Sequence, residues 1–282
     1  ISNAVPPTIE QVLPRRSTLS RSAAGERHLR QVIATNIDTV MVVCGLDGDF
    51  NPARIERYFV LIEGSGAKAV VVLTKADLAA DAQAMTEQLK ARMPAGTEIH
   101  AINAKTGFGV DALLAHLGPG SSTVLVGSSG AGKSTLTNTL LGEARQSTQA
   151  VRANDSRGRH TTTYRSLIML PSGGCLIDTP GMREVKLTGD ESFDGGQFDD
   201  IEELAGECRF GDCSHLAEPS CAVRAALDDG RLDPERWHSY LKLRDELAAA
   251  AESLEAQLRR KSESRVLTKA LGKRLDEKYG RH

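Results

Sequence analysis

The run Gly127-Ser128-Ser129-Gly130-Ala131-Gly132-Lys133-Ser134 has the spacing G-x-x-x-x-G-K-[ST], and the chemistry open to such a run is to hold a phosphate chain. Its glycines let the backbone turn N–H groups inward around an anion, and a helix starting at Lys133 would bring the positive end of its dipole to the same point. Lys133 would reach the β- and γ-phosphates, the Ser134 hydroxyl would ligate Mg²⁺, and Thr135 completes the phosphate-binding set. The plain alternative is a Gly/Ser-rich turn before a helix. A Lys and a hydroxyl falling together between a short apolar strand and a helical run argue against it. Downstream, Cys208, Cys213, His215 and Cys221 put four soft or borderline ligands within 14 residues. That set suits a closed tetrahedral Zn²⁺ site of the Cys₃His type, with Gly206, Gly211, Asp212 and Pro219 supplying turns. Four clustered protein ligands leave no open position for catalysis, so the expected zinc is structural. The competing reading is a pair of buried thiols beside a surface His. Disulfides are not expected, because no secretory signal precedes the nucleotide motif. Cys44 and Cys175 lie in apolar runs and read as core residues.

A phosphate loop does not name the base. Upstream of it, Thr74-Lys75-Ala76-Asp77 resembles the guanine-reading N/T-K-x-D element of GTPases. Asp77 would accept from guanine N1–H and the 2-amino group, and the Lys75 stem would cover the ring face. Thr74 stands where GTPases in general prefer Asn, with a hydroxyl that can hydrogen-bond near N7. Asn103-Ala104-Lys105 resembles the S-A-K element whose backbone N–H meets guanine O6. Downstream of the loop, the run Gly158-Arg159-His160-Thr161-Thr162-Thr163 is like a first switch. Asp178-Thr179-Pro180-Gly181 has the D-x-x-G form that holds Mg²⁺ through water and senses the γ-phosphate.

These residues need a sheet to hold them. Apolar, β-rich runs at 39–44, 69–73, 98–102, 123–126, 165–170 and 175–177 read as strands, with helical runs at 51–63, 81–92, 110–117 and 133–141 between most of them. The alternation predicts an α/β fold with a doubly wound, mostly parallel sheet, ending in one hairpin. In ordinary small GTPases the phosphate loop comes first and the base-reading elements last; here the order is rotated, as if the fold had been opened at a new point.

This rotated order, followed by a cysteine-rich segment, resembles the circularly permuted ribosome small-subunit-dependent GTPase A family (RsgA/YjeQ/EngC). The resemblance covers nearly the whole chain, including Leu13-Pro14-Arg15-Arg16-Ser17, Leu19-Ser20-Arg21 and Gln31-Val32-Ile33-Ala34. It implies an N-terminal oligonucleotide-binding (OB) barrel, a permuted GTPase domain and a C-terminal zinc domain, acting in late maturation of the small (30S) ribosomal subunit. The expected division is a barrel exit over 1–35, the GTPase domain over 36–189, and a small, mainly helical zinc domain over 190–282. The segment before Thr39 is too short for a five-stranded barrel, so that barrel is expected to be largely absent from this chain.

For hydrolysis, Met182 stands just after D-x-x-G where many GTPases carry a water-positioning Gln. His160 is the candidate replacement, a role the resemblance also implies; binding RNA or capping the loop is its alternative. Thr162 is expected to contribute to Mg²⁺ coordination with Ser134 and Asp178, Thr161 and Thr163 being the other options. Slow intrinsic turnover and stimulation by a partner would follow.

The net charge of −2 over 282 residues gives no global nucleic-acid footprint, but its distribution is uneven. Residues 190–207 hold eight acids and no base, whereas 258–282 carry nine Lys/Arg against three acids. The basic end could meet rRNA phosphates or be a solvated helical tail. Trp237, Tyr240, Leu247, Leu254 and Leu258 recur along one face of a long helix. No run approaches the roughly 18 apolar residues of a membrane span, so a soluble, cytoplasmic monomer is expected, binding GTP or GDP and the small subunit. Three rivals stay open. A P-loop kinase or ATPase would leave Thr74–Asp77 without a reason, and a permuted large-subunit GTPase should lack the Cys208–Cys221 cluster. A zinc-dependent RNA-binding module would hold nucleotide with little turnover.

Overall fold

The computed structural model describes residues 8–22, 30–142, 165–179, 186–193 and 195–252, with 255, 256 and 259. The chain forms two compact units, the first from Ile1–Ser20, Val32–Glu184 and Asp194–Gln197, the second from Arg21–Gln31, Val185–Phe193 and Phe198–His282. Before Thr39, where only the closing strand and exit of a barrel are expected, β1 (Thr18–Ser22) and β2 (Arg30–Thr35) pair as a two-stranded sheet.

The first unit is built on a six-stranded sheet of β3 (Thr39–Gly45), β4 (Lys68–Thr74), β5 (Glu98–Ala101), β6 (Ser122–Val126), β7 (Ser166–Met169) and β8 (Cys175–Asp178), in the order β5-β4-β3-β6-β8-β7. All neighbours are parallel except β7 and β8, so the expected mostly parallel sheet with a terminal hairpin is present. β3 is buried along its whole length, which is why it reads as the continuous apolar run T-V-M-V-V-C-G rather than as an alternating one. Met41 and Val43 of β3 join Val70, Val72, Leu125 and Leu176 in one core.

Helices α1 (Pro52–Glu63) and α2 (Ala82–Lys90) follow β3 and β4. Each starts where the sequence provides a cap: Asn51 Oδ1 accepts from Arg54 N–H at 2.9 Å, with Pro52 at the first turn, and Asp81 Oδ1 accepts from Ala84 N–H at 2.9 Å. Helix α3 (Lys133–Leu141) opens directly after the phosphate loop. The run expected as a helix over 110–117 is a 3₁₀ helix, Val110–His116. Winding at three residues per turn puts Val110 and Leu113 on the same side, where both are buried.

β4 and β5 extend the sheet on one side of β3, whereas β6 and β8 extend it on the other. The β3/β6 boundary is therefore a switch point, and the crevice beyond the carboxyl ends of these strands is where an open α/β sheet receives a ligand. Three of the nucleotide motifs leave the sheet at such an end: Thr74 ends β4, Gly127 follows β6 and Asp178 ends β8.

In the second unit, α4 (Asp199–Gly206) and α5 (Ala222–Asp228) precede a helix, α6, running over 234–252. Its core holds Phe198, Ile201, Val223, Leu232 and Leu243. Arg236 is buried because its guanidinium is satisfied twice by Asp200 (Nε–Oδ2 2.7 Å, Nη2–Oδ1 2.6 Å) and lies 5.0 Å from the Phe198 ring centroid. The buried stripe of α6 thus passes through Arg236, Ser239 and Leu243, whereas Trp237, Tyr240 and Leu247 of the expected face are only half-buried. Leu254 and Leu258 lie outside the described residues. Phe193, Phe198, Trp237 and Tyr240 pack ring against ring, with centroids 5.2–5.6 Å apart.

Candidate functional site

The phosphate loop is shaped by close backbone approaches. Gly127 has φ 148° and Gly132 φ 97°. A Cβ at Gly127 would lie 2.2 Å from the Val43 carbonyl oxygen, and one at Gly132 would lie 2.9 Å from Thr74 Oγ1. Neither position tolerates a side chain, because the loop is pressed against β3 and against the end of β4. Inside the loop the buried Lys133 Nζ donates to the carbonyls of Gly127 (2.9 Å) and Ser128 (2.7 Å). Burial pulls its pKa down to about 8, against the opposing attraction of Asp178 and Asp49. A phosphate in this loop would favour the charged form and raise the pKa again.

The base-reading element is tied to that loop. Thr74 is 1% exposed, and its hydroxyl donates to the Ala131 carbonyl, 57 residues away in sequence, at 2.5 Å. A hydroxyl has one proton, so a threonine spent on Ala131 cannot also donate to guanine N7. Thr74 thus braces the T-K-x-D element against the phosphate loop in the nucleotide-free chain. Lys75 adopts a left-handed backbone (φ 59°), and its ammonium is held by Asp47 Oδ2 at 2.6 Å. Desolvation opposes ionisation of Asp47, but the Lys75 hydrogen bond and charge, together with backbone N–H groups, outweigh it and hold the carboxyl below the usual range. Asp77 is exposed in the short 3₁₀ turn Ala76–Leu78.

The Asn103-Ala104-Lys105 loop is shaped by its own first residue: Asn103 Oδ1 accepts from the Lys105 N–H (2.9 Å) and the Thr106 N–H (3.3 Å). The Thr139 hydroxyl of α3 holds the Ala104 carbonyl. Among the described residues no acceptor takes the Ala104 N–H, the group expected to meet guanine O6. A cavity of about 710 Å³ beside this element is lined by Asp77, Ala82, Thr86, Asn103 and Phe108, among others, but by no residue of the phosphate loop. It adjoins the base-reading groups rather than containing the whole nucleotide.

On the metal side of the loop, Ser134 sits in the first turn of α3, and Asp178, 1% exposed, ends β8. The Thr179 hydroxyl donates to the Leu125 carbonyl at 2.8 Å and fixes that end of β8 against β6. A buried carboxylate and a hydroxyl supply oxygen donors of the kind a hard cation takes, with the Lys133 ammonium beside them as a counter-charge for phosphates. His160, Thr162 and Gly181 lie outside the described residues, as do Thr161, Thr163 and Met182.

In the second unit, Cys208, Cys213, His215 and Cys221 come together with all ligand atoms within 4.8 Å of one another. His215 Nδ1 is 3.5 Å from both Cys208 Sγ and Cys221 Sγ, and these sulfurs are 3.9 Å apart. Those are the edges of a tetrahedron whose centre lies about 2.0–2.3 Å from each ligand, so the residues fit a four-coordinate metal. His215 reaches inward from a left-handed backbone (φ 61°), and the edge of its ring contact with Trp237 spans 5.7 Å between centroids. Cys221 caps α5, its sulfur accepting from the Arg224 N–H. Removal from solvent, with Cys221 and Cys208 adding to it, pushes the Cys213 thiol up to about 11. For Cys208 desolvation also opposes ionisation, but the N–H groups of Ala222 and Val223 together with the Cys213 and Cys221 thiols outweigh it and lower the pKa.

The RsgA GTPase family model matches residues 12–188. The chain belongs to the RsgA GTPase family. Proteins named small ribosomal subunit biogenesis GTPase RsgA from Xanthomonas euvesicatoria pv. vesicatoria (strain 85-10) and Xanthomonas axonopodis pv. citri (strain 306) are each 62% identical to it over 249 residues, 87% of this chain and 68% of theirs. The crystal structure of YjeQ from Thermotoga maritima superposes with a TM-score of 0.57 at 27% identity, covering 85% of this chain and 78% of that one. The structure of YloQ, a circularly permuted GTPase, matches at TM-score 0.53 and 22% identity over 86% of this chain and 83% of its own, a likeness of fold.

Sequence reasoning missed the loop after β3. There, Asp47 holds Lys75, and Asp49 accepts from the Ser128 hydroxyl while pairing with Arg54 Nη1 at 2.6 Å. The available signal was two acids directly beyond the central strand, at the switch point. Cys44 is buried as expected, and burial raises its pKa. Cys175 is only half-buried, against expectation, and its sulfur lies 3.2 Å from that of Met169 on β7.

Proposed function

We propose that this chain hydrolyses GTP to GDP and phosphate and acts as a nucleotide-dependent factor in late maturation of the small ribosomal subunit. Membership of the RsgA GTPase family supports the reaction, and the printed names of its relatives support the process. The observation that carries the reading in the molecule is the Thr74–Ala131 hydrogen bond. It joins a T-K-x-D element to a phosphate loop across the sheet, and a kinase or ATPase gives no reason for a T-K-x-D element there.

The residues divide the work as follows. The backbone from Gly127 to Gly132, with Ser128, Ser129, Gly130 and Ala131 between, cradles the phosphates; Lys133 contacts the terminal two, and Ser134 and Thr135 begin the helix behind them. Asp77 reads the two guanine donors, and Ala104 meets O6. Ser134, Asp178 and Thr162 would hold a Mg²⁺, which would supply positive charge against the phosphate chain. His160 orients the attacking water, and Gly181 senses the γ-phosphate. In the second unit Cys208, Cys213, His215 and Cys221 hold one structural Zn²⁺, supported by their tetrahedral spacing. The domains run over 1–35, 36–189 and 190–282, the partner surface includes rRNA, and the working form is a cytoplasmic monomer. Among the described residues no helix is long and apolar enough to cross a membrane.

The deciding experiment is single-turnover GTP cleavage with and without purified small subunits. Addition of subunits should raise the rate. His160→Ala should lower it by about 10²-fold or more while leaving GDP affinity nearly unchanged, as for a group acting mainly in the transition state. ATP cleaved as readily as GTP would overturn the guanine reading, and a wild-type rate in the His160 variant would pass the water-positioning role to another group.

A further inference from the structure

We propose that Glu98, His100 and His116 form a second metal site, at the β5 edge of the sheet, for a borderline divalent ion such as Zn²⁺. Glu98 and His100 are two apart on β5 and so point to the same face, where their partners on β4 are Val70 and Val72. His116 ends the 3₁₀ helix Val110–His116, and its carbonyl accepts the Thr123 hydroxyl at 2.8 Å, which holds the end of that helix against β6. The three side chains converge. Glu98 Oε2 is 2.9 Å from His116 Nε2 and 3.6 Å from His100 Nε2, and all three ligand atoms lie within 4.8 Å of one another. Ligands bonded at about 2.0–2.2 Å to a four-coordinate ion stand roughly 3.3–3.6 Å apart, so the Glu98–His100 separation already fits and a shift of a few tenths of an ångström at His116 would bring its separation from Glu98 into range.

The donor set is two imidazoles and a carboxylate, the chemistry that suits Zn²⁺ and its neighbours rather than Mg²⁺ or Ca²⁺. The second observation is His100 Nε2, which is buried without a hydrogen-bond partner and faces this cluster. A ring nitrogen left so is a cost unless something takes its lone pair. Lys68 does not block the site, because its ammonium pairs with Oε1 of Glu98 and leaves Oε2 to the imidazoles. That is the arrangement by which an outer partner orients a ligating carboxylate. Three protein ligands leave room for water or for a group from outside the chain. β5 and the 3₁₀ helix flank the Asn103-Ala104-Lys105 loop, so an ion bound between them would tie together the two ends of an O6-reading segment.

The test is a Co²⁺ titration of the full chain, followed by visible absorption and by metal content after gel filtration. Cobalt held by thiolates shows sulfur-to-metal charge transfer, whereas cobalt held by imidazole and carboxylate shows only ligand-field bands. The two sites are therefore counted separately, and failure of the Cys₃His reading would be seen independently. The expected result is an equivalent without charge-transfer absorption in the wild-type protein, weakened at least tenfold in both His100→Gln and His116→Gln. These variants keep a hydrogen-bonding amide, and unchanged circular dichroism and GDP binding would show that they fold. Absence of that equivalent in the wild type, or its retention in both folded variants, overturns the proposal.

Discussion

The phosphate loop and the thiol cluster are both ligand cradles made from short motifs, but they are held in opposite ways. The loop is fixed from a distance: Ala131 is braced by Thr74, 57 residues earlier, and Ser128 by Asp49, 79 residues earlier, at the end of a buried parallel sheet. The thiol cluster closes within 14 residues, on turns in which Ser214, Leu216 and Ala217 N–H groups converge on Glu218. Much of its chain is exposed, Leu216 and Phe210 included. A site assembled by a core exists before its ligand arrives. One assembled by a local loop depends on the ligand for its order.

Metal removal should expose that contrast most strongly. Structural zinc contributes about 10–16 kcal/mol of apparent binding free energy in zinc-finger peptides, far more than any single side chain here. Chelation, or Cys213→Ser, should release hydrogen-exchange protection around 206–222 while amides of β3 and β4 stay protected. Protection lost equally in both regions would break the comparison.

Next in size is base recognition. Asp77→Asn should weaken GTP and GDP by about 1.5–3 kcal/mol, roughly 10- to 100-fold, and favour xanthosine nucleotides, whose base presents an oxygen to the new amide. Competition binding with the four nucleotides checks it. A smaller effect, about 1 kcal/mol, is expected for Thr74→Val, which keeps shape but deletes the brace to Ala131. Denaturant unfolding should register the loss, and guanine-over-adenine preference should be unchanged, because the hydroxyl serves the loop and not the base. A selective loss of guanine preference would restore the N7 role.

The smallest effect concerns Lys133, lowered from 10.5 to about 8 by burial. Between those values the unfolded chain holds a proton that the folded, nucleotide-free protein lacks, so this group makes stability rise with pH across that window. Nucleotide phosphates favour the charged form, so GDP affinity should fall about fourfold between pH 7 and 8.5. Isothermal titration in buffers of different ionisation enthalpy would detect the proton taken up. Flat affinity and no proton uptake would mean that the ammonium is already charged in the empty loop.

Much of this was legible in the residues. The sheet could be read because buried parallel strands carry continuous apolar runs such as β3, and the caps Asn51 and Asp81 announce their helices. The phosphate loop, the T-K-x-D element and the Cys₃His cluster are local patterns. What escaped was non-local. Nothing near Thr74 reveals that its proton goes to Ala131, and nothing near Arg236 reveals the Asp200 carboxylate that allows it inside. The helical type of Val110–His116 turns on which side is buried, a tertiary fact. Cys175 sits in an apolar run, yet β8 faces its neighbour β7 with a side that stays partly open.

The register of β3 between β4 and β6 also sets an order of assembly during synthesis. β3, α1, β4 and β5 leave the ribosome before β6, and they can form a three-stranded parallel sheet whose β3 edge is still open. Gly127 can then settle against the Val43 carbonyl, and Ala131 against Thr74, only when β6 docks on that edge. In this rotated chain order the half that recognises the base is laid down first, and the phosphate cradle closes onto it. Nascent chains halted before residue 122 should therefore already protect β3 and β4 from proteolysis, but retain GDP only after α3 has emerged.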